Sequence, residues 1–261
     1  MKTGKIIDQL AKEYPLEMAV AWDNPGLQVG RRDRQVKKVM VALDATDAVI
    51  EQCAAWGAEL LVTHHPLMMS GIAKINEDTI AGKKILALAE HGISHYAIHT
   101  NYDVTRMAVL AQEALQLKKT QSLEVTGTDA QGNAYGIGRI GELPEKMTAA
   151  QCCKLVKEVF HLPHVRLFGD KEAQVKKIAV SPGSGKSMIA PAVKAGVSLL
   201  ISGDIGHHEG LDAVDQGLIV IDAGHYGVEH IFIEDMAAYI KKHFPKAEVK
   251  TAAVGEPFEV M

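Results

Sequence analysis

Gly57-Ala58-Glu59-Leu60-Leu61-Val62-Thr63-His64-His65-Pro66 decides the fold. Its apolar centre is strand-length and stops abruptly at two imidazoles and a proline. In an open α/β sheet, ligands bind outside the carboxyl ends of the strands. The run therefore reads as a strand that delivers His64 and His65 to such an end. Shifted by 139 positions, it falls without a gap on Gly196-Val197-Ser198-Leu199-Leu200-Ile201-Ser202, and Lys38-Val39-Met40-Val41 falls on Lys177-Ile178-Ala179-Val180. After a shorter connection, Ala97-Ile98-His99 is set against Val220-Ile221-Asp222. These matches predict an internal duplication of a βαβαβ unit.

Around that stretch the pattern alternates. An amphipathic helix is expected over 3–14, then a Gly/Pro-rich segment over 22–30. Strands are expected over 38–43, 59–63 and 94–98, and helices over 47–56, 78–90 and 104–115. Gln131-Gly132-Asn133 reads as a hairpin turn, and Thr148 as the N-cap of a helix to Phe160 with Met147 as its staple. The fold class is α/β: two related α/β lobes with mostly parallel sheets and a metal site in the cleft between them. Residues 1–121 form the first lobe. Residues 122–261 form the second, opening on a β-rich connecting segment, its C-terminal part free to pack back on the first lobe.

Composition narrows the setting. The chain has 261 residues, 47% apolar and 23% charged, with a net charge of −4. No apolar run reaches the roughly 20 residues that span a bilayer, and the N-terminus lacks a signal-peptide core. A cytoplasmic protein with no membrane partner is expected. The net charge shows no footprint for nucleic acid, which leaves only a local basic patch for such a partner. Cys53, Cys152 and Cys153 are an odd set without zinc-type spacing, and the adjacent pair reads as helix thiols. Of twelve histidines, His91 and His243 suit helix C-termini, and His161 and His164 flank a turn.

Three clusters at strand ends carry the chemistry. His64-His65 is the first. His99-Thr100-Asn101-Tyr102-Asp103 is the second. The third, Asp222 to Glu229, places His225 and Glu229 four apart on one face of a first helical turn. Each has a plain reading: a polar loop, an Asp103 N-cap, a glutamate that suits a helix N-terminus. Together, three imidazoles and two carboxylates form a mixed nitrogen/oxygen donor set for Zn, Fe, Mn or a similar ion. A carboxylate can bridge two such ions, which activate water and clamp a phosphoryl or amide group. His99 is a candidate general acid or a partner that orients a ligand. His207-His208-Glu209 is either a substrate-side group or a surface loop. Ser181-Pro182-Gly183-Ser184-Gly185-Lys186-Ser187 fails the phosphate-loop pattern because position 180 is valine, although its amides could still hold an anion.

Five motifs in order resemble one family across nearly the whole chain: Trp22 to Gly30, Thr63-His64-His65-Pro66, His99 to Asp103, Gly203 to His208, and Gly224-His225 with Glu229. The family is that of the dinuclear-metal-centre proteins known as GTP cyclohydrolase I type 2 homologues, or NIF-three-like proteins. The resemblance implies a two-lobed subunit, here of the short form, in a toroidal homohexamer with metal pairs facing the inner cavity. It carries His64, His65, Asp103, His225 and Glu229 over as ligands of two divalent ions (Fe, Zn, Mn or Ni). Glu229 would bridge, with His64 and Asp103 on one ion and His65 and His225 on the other. The expected function is metal-dependent hydrolysis of a nucleotide or related heterocycle, by ring opening or at a phosphoester, with His99 or His207 as acid or base. The rival is a non-enzymatic ring: a metal-binding protein, a metal chaperone or a nucleic-acid scaffold. In a third reading the histidines are structural.

Overall fold

The computed structural model describes residues 1–129, 131–253 and 255–261. In chain order the elements are α1 (Thr3–Glu13), β1 (Gly26–Val29), β2 (Lys38–Ala42), α2 (Asp47–Trp56), β3 (Leu60–Thr63), α3 (Ile80–Glu90), β4 (Ser94–Ala97) and α4 (Thr100–Tyr102). A π-helical stretch, Asp103–Met107, leads to α5 (Ala108–Ala114), β5 (Lys118–Thr128), β6 (Ala134–Thr148), α6 (Ala149–Val159), β7 (Arg166–Phe168), β8 (Gln174–Ser184) and α7 (Ile189–Lys194). Then follow β9 (Leu199–Gly203), α8 (His207–Asp215), β10 (Ile219–Asp222), α9 (His225–Glu229), α10 (Ile231–His243) and β11 (Glu248–Thr251). Among the described residues, no helix is long and apolar enough to cross a membrane.

The chain divides into two units, Met1–Tyr102 with Phe232–Met261, and Asp103–Ile231. The expected division at 121/122 is thus displaced. The physical reason is packing: Ala111, Leu115 and Leu117 lie in the core of the second unit with Ile178 and Val180, while β11 adds in parallel to β2, Glu248 opposite Lys38, and so brings the last stretch back to the first unit as expected. Also, β5 and β6 form a hairpin within the second sheet and do not link the two.

The first sheet has the order β1-β4-β3-β2-β11, and the second β5-β6-β8-β9-β10-β7. In each, three consecutive parallel strands run from a βαβαβ unit, and the strand before them returns antiparallel beside the third, as β1 on β4 and β7 on β10. Even the register repeats. Val39 lies opposite Leu60 and Ile178 opposite Leu199, each pair related by the 139-residue shift. Gly57 and Gly196 share that shift and both adopt left-handed φ, 75° and 61°, where their helices stop. The units thus share a four-strand α/β core of one topology and differ at the other edge, where β11 is parallel to β2 and β6 is antiparallel to β8.

The third strands align differently from the expected match. Leu60 faces Ser94 and Leu199 faces Ile219, so Ala97 corresponds to Asp222, not to Val220. A slip of two residues preserves which side chains face which side of a sheet, and so the apolar pattern alone did not fix it.

Parallel strands covered on both faces should be apolar throughout. Val39, Val41, Ala42, Leu60, Leu61 and Val62 are fully buried. In the second unit, Ile178, Leu199 and Ile221 pack with α6, whereas Ala179, Leu200 and Val220 pack with α7. Helix ends follow their signals. Thr148 and Gln151 close a reciprocal capping box on α6, and the Asp129 carbonyl accepts from the amide of Gly132 (φ 85°) in the β5–β6 turn.

A histidine is sealed into the first sheet. His95 on β4 is fully buried. The Thr63 hydroxyl donates to the His65 carbonyl at 2.7 Å, so it accepts from His95 Nε2 at 2.7 Å. Nδ1 then carries the lone pair, and it has no hydrogen-bond partner among the described residues. Burial pushes the imidazole pKa down from 6.5 to about 3. The folded chain thus refuses a proton that the unfolded chain accepts below pH 6.5. This group's stabilising contribution is complete above that pH and drains away as pH falls toward 3. Between pH 7 and pH 5 the loss should be about 2 kcal/mol. Denaturant unfolding at the two pH values should show a smaller drop for His95→Gln than for the wild type; an equal drop would contradict the neutral buried imidazole.

Candidate metal centre

In the first unit, three imidazoles converge. His64 and His65 follow β3, and His99 follows β4 by one residue. Their ligand nitrogens lie within 4.8 Å of one another. The ring centroids are 4.9 Å apart for His64–His65, 5.2 Å for His64–His99 and 5.5 Å for His65–His99. Each ring is oriented through Nδ1. His64 Nδ1 donates to the Ile98 carbonyl at 2.9 Å. His65 Nδ1 pairs with Asp44 Oδ1 at 2.8 Å, and His99 Nδ1 with Asp23 Oδ1 at 2.7 Å. With Nδ1 carrying the hydrogen, Nε2 becomes the donor nitrogen, the arrangement that partners of metal-binding histidines enforce.

Asp23 is held in turn. Burial opposes its ionisation. Hydrogen bonds from His99 and from the Thr100 hydroxyl and amide outweigh that, and they hold the carboxyl at about 2. It is therefore an anion at any physiological pH.

In the second unit, His225 opens α9 and Glu229 ends it, one helical turn on. His225 Nδ1 pairs with Asp204 Oδ2 at 2.8 Å, and Nε2 lies 3.0 Å from Glu229 Oε2. Both nitrogens therefore face carboxylates. The Glu229 side chain is buried and Asp204 adopts a left-handed φ of 54°, a cost of the kind that clusters at working sites. Asp103 is half-buried in the π-helical stretch. Helical backbone already starts at Thr100, so Asp103 is not an N-cap; π-turns recur at functional positions.

The glycine-rich turn lies against the buried carboxylate of Glu229. Gly183 has φ 82°, and a Cβ there would come within 2.3 Å of Glu229 Oε1. Its bareness makes room for the buried carboxylate. The helix that follows, α7, has six residues. Nor does His207 join a cluster: it is exposed at the start of α8, its ring 5.2 Å from that of His208, and no metal-ligand grouping among the described residues includes it. Glu209 pairs with Lys186 at 2.7 Å. Asp222 is structural: it binds Arg166 and accepts from the Ile205 and Gly224 amides. Burial lifts the thiols of Cys53 and Cys152 to about 12, as fits core packing.

Sequence reasoning missed the orienting carboxylates. Asp23 and Asp204 lay inside quoted motifs without a role, and Asp44 was not singled out. Their one available signal was position, because Asp44 and Asp204 sit just past strand ends.

The pattern of the Duf34/NIF3 (NGG1p interacting factor 3) family matches residues 1–256, and the chain belongs to that family. A relative in Clostridium perfringens is 35% identical over 231 residues, spanning 88% of this chain and 87% of its own length. One in Clostridium acetobutylicum is 32% identical, spanning 91% and 88%. Both bear the name GTP cyclohydrolase 1 type 2 homolog. Among solved structures, reduced HcgD from Methanocaldococcus jannaschii is 28% identical with a TM-score of 0.84 over 97% of this chain and 98% of its own. A Bacillus cereus protein related to NIF3 shares the fold, with a TM-score of 0.92 at 22% identity over 100% of this chain and 99% of that one.

Gly183→Ala should test the carboxylate cradle. A left-handed backbone and the encroaching methyl should cost about 1–3 kcal/mol, read as a lowered melting temperature. An unchanged melting temperature would show that Glu229 does not depend on the bare turn.

Proposed function

We propose that this chain binds two divalent ions per subunit through His64, His65, Asp103, His225 and Glu229, and that it is a metal-dependent hydrolase of a nucleotide or related heterocycle. The observation that carries the proposal is the common orientation of the imidazoles. His64, His65 and His99 each commit Nδ1 to a carbonyl or carboxylate, which leaves Nε2 to bind, and one ligand nitrogen of each lies within 4.8 Å of the others. A structural histidine such as His95 is instead sealed among neighbours, with one nitrogen spent on a hydroxyl. The donor set fits Zn, Fe, Mn or Ni, ions that accept imidazole and carboxylate together.

When bound, such a pair of ions supplies Lewis acidity and an activated water for hydrolysis. The chain's own residues do the rest. Glu229 brings a buried carboxylate beside His225 Nε2, and Asp204, Asp44 and Asp23 fix ring orientation. His99, anchored on an ionised Asp23, can hold or pass a proton at Nε2. We assign proton transfer to His99, with His207 a second candidate on the substrate side. Assembly as a homohexamer belongs to the same proposal, on the strength of the family resemblance.

Elemental analysis of protein purified without a histidine tag tests the metal reading. About two ions per subunit are expected in the wild type, with one or none in Glu229→Ala at unchanged circular dichroism. A wild type that takes up no Fe, Mn or Zn even after anaerobic reconstitution would sink it. Sedimentation should give a hexameric mass; a monomer at micromolar concentration would remove the ring from the proposal.

A further inference from the structure

We propose that Trp22 is the platform on which a planar heterocycle stacks beside the first unit's histidines. This rests on the hydrolase reading and narrows its substrate class to compounds with an aromatic ring.

A tryptophan is among the most profitable side chains to bury, yet Trp22 is 64% exposed. The chain around it is not loose. On one side, the Val20 amide donates to Thr100 Oγ1 at 3.0 Å, and the Asp23 amide donates to the Val20 carbonyl at 3.0 Å. On the other, the Asp23 carboxylate takes three hydrogen bonds from His99 and Thr100, and Asn24 Nδ2 donates to the Met68 carbonyl at 2.6 Å. The indole is therefore exposed on a backbone pinned before and after it. It meets His99 edge-on, centroids 6.0 Å apart and planes at 70°.

This combination suits stacking. A rigid aromatic side chain offers its face with little ordering cost, and every nucleobase has a face to match. A ring laid on the indole is held next to His99, the imidazole assigned to proton transfer. The chain's other tryptophan, Trp56, is different: Lys38 and Lys250 ammonium groups lie over it at 5.4 and 4.7 Å.

The test uses the full chain loaded with metal, as wild type, Trp22→Ala and Trp22→Phe, with calorimetric titration of guanosine monophosphate and of ribose 5-phosphate, which lacks the ring. The expected result is at least about tenfold weaker guanosine monophosphate binding in Trp22→Ala. Trp22→Phe should stay within about threefold of wild type, and ribose 5-phosphate should bind all three alike. In wild type the nucleotide should also quench tryptophan fluorescence. Equal nucleotide affinity in Trp22→Ala, or equal loss for both ligands, overturns the stacking role while the hydrolase reading stands. A changed native mass with unchanged nucleotide affinity overturns it too and makes Trp22 a contact between copies. A metal-loaded wild type that binds no nucleotide fails the substrate class itself.

Discussion

The hydrogen bond at Nδ1 is the constraint on which this molecule's chemistry depends. An imidazole is a dependable donor only when one nitrogen is committed and the ring cannot turn. Here the partners are the carbonyl of Ile98 and the carboxylates of Asp44, Asp23 and Asp204. The carbonyl, Asp44 and Asp204 sit just beyond the ends of β4, β2 and β9. Neighbouring strands run about 4.8 Å apart, so a parallel sheet puts a side chain at one strand end within reach of a partner at the next. Register and imidazole orientation are thus one problem. Thr63 couples them at β3, its hydroxyl tied to the His65 carbonyl and to the ring of His95.

The two units use one topology for different ends. After β3 and β4 the first unit presents imidazoles. At the corresponding ends the second presents Asp204, which orients His225, and Asp222, which ties the loop after β9 through the Ile205 amide and the loop after β10 through the Gly224 amide. The glycine turn at the end of β8 contributes no side chain and leaves space for Glu229. The two units share a strand arrangement, and each carries its own set of polar groups at its strand ends.

Much of this was legible in the sequence, for reasons that can be named. Leu60-Leu61-Val62 has no helical period and is bounded by a turn and a proline, so β3 could be read almost to the residue. The 139-residue shift was readable because small and apolar residues match without a gap, and the strands keep that register. The third strand slipped by two because an even slip leaves an apolar face unchanged. His225 and Glu229 were paired by helical spacing, a local property. Asp44 pairs with His65 across 21 positions, and no local pattern encodes such a contact. The return of the last stretch to the first unit has the same cause, because β11 pairs with a strand some two hundred residues earlier.

The division of the chain also sets an order of events as the polypeptide is made. The second unit, Asp103–Ile231, is contiguous and its strands are all present once residue 231 has been synthesised. The first unit lacks β11 and most of α10 until the segment after Ile231 appears. Closing so long a loop is slow relative to local pairing. The edge of β2 therefore waits, unpaired, through the whole synthesis of the second unit. An open parallel edge in that interval is exposed to wrong partners until β11 covers it.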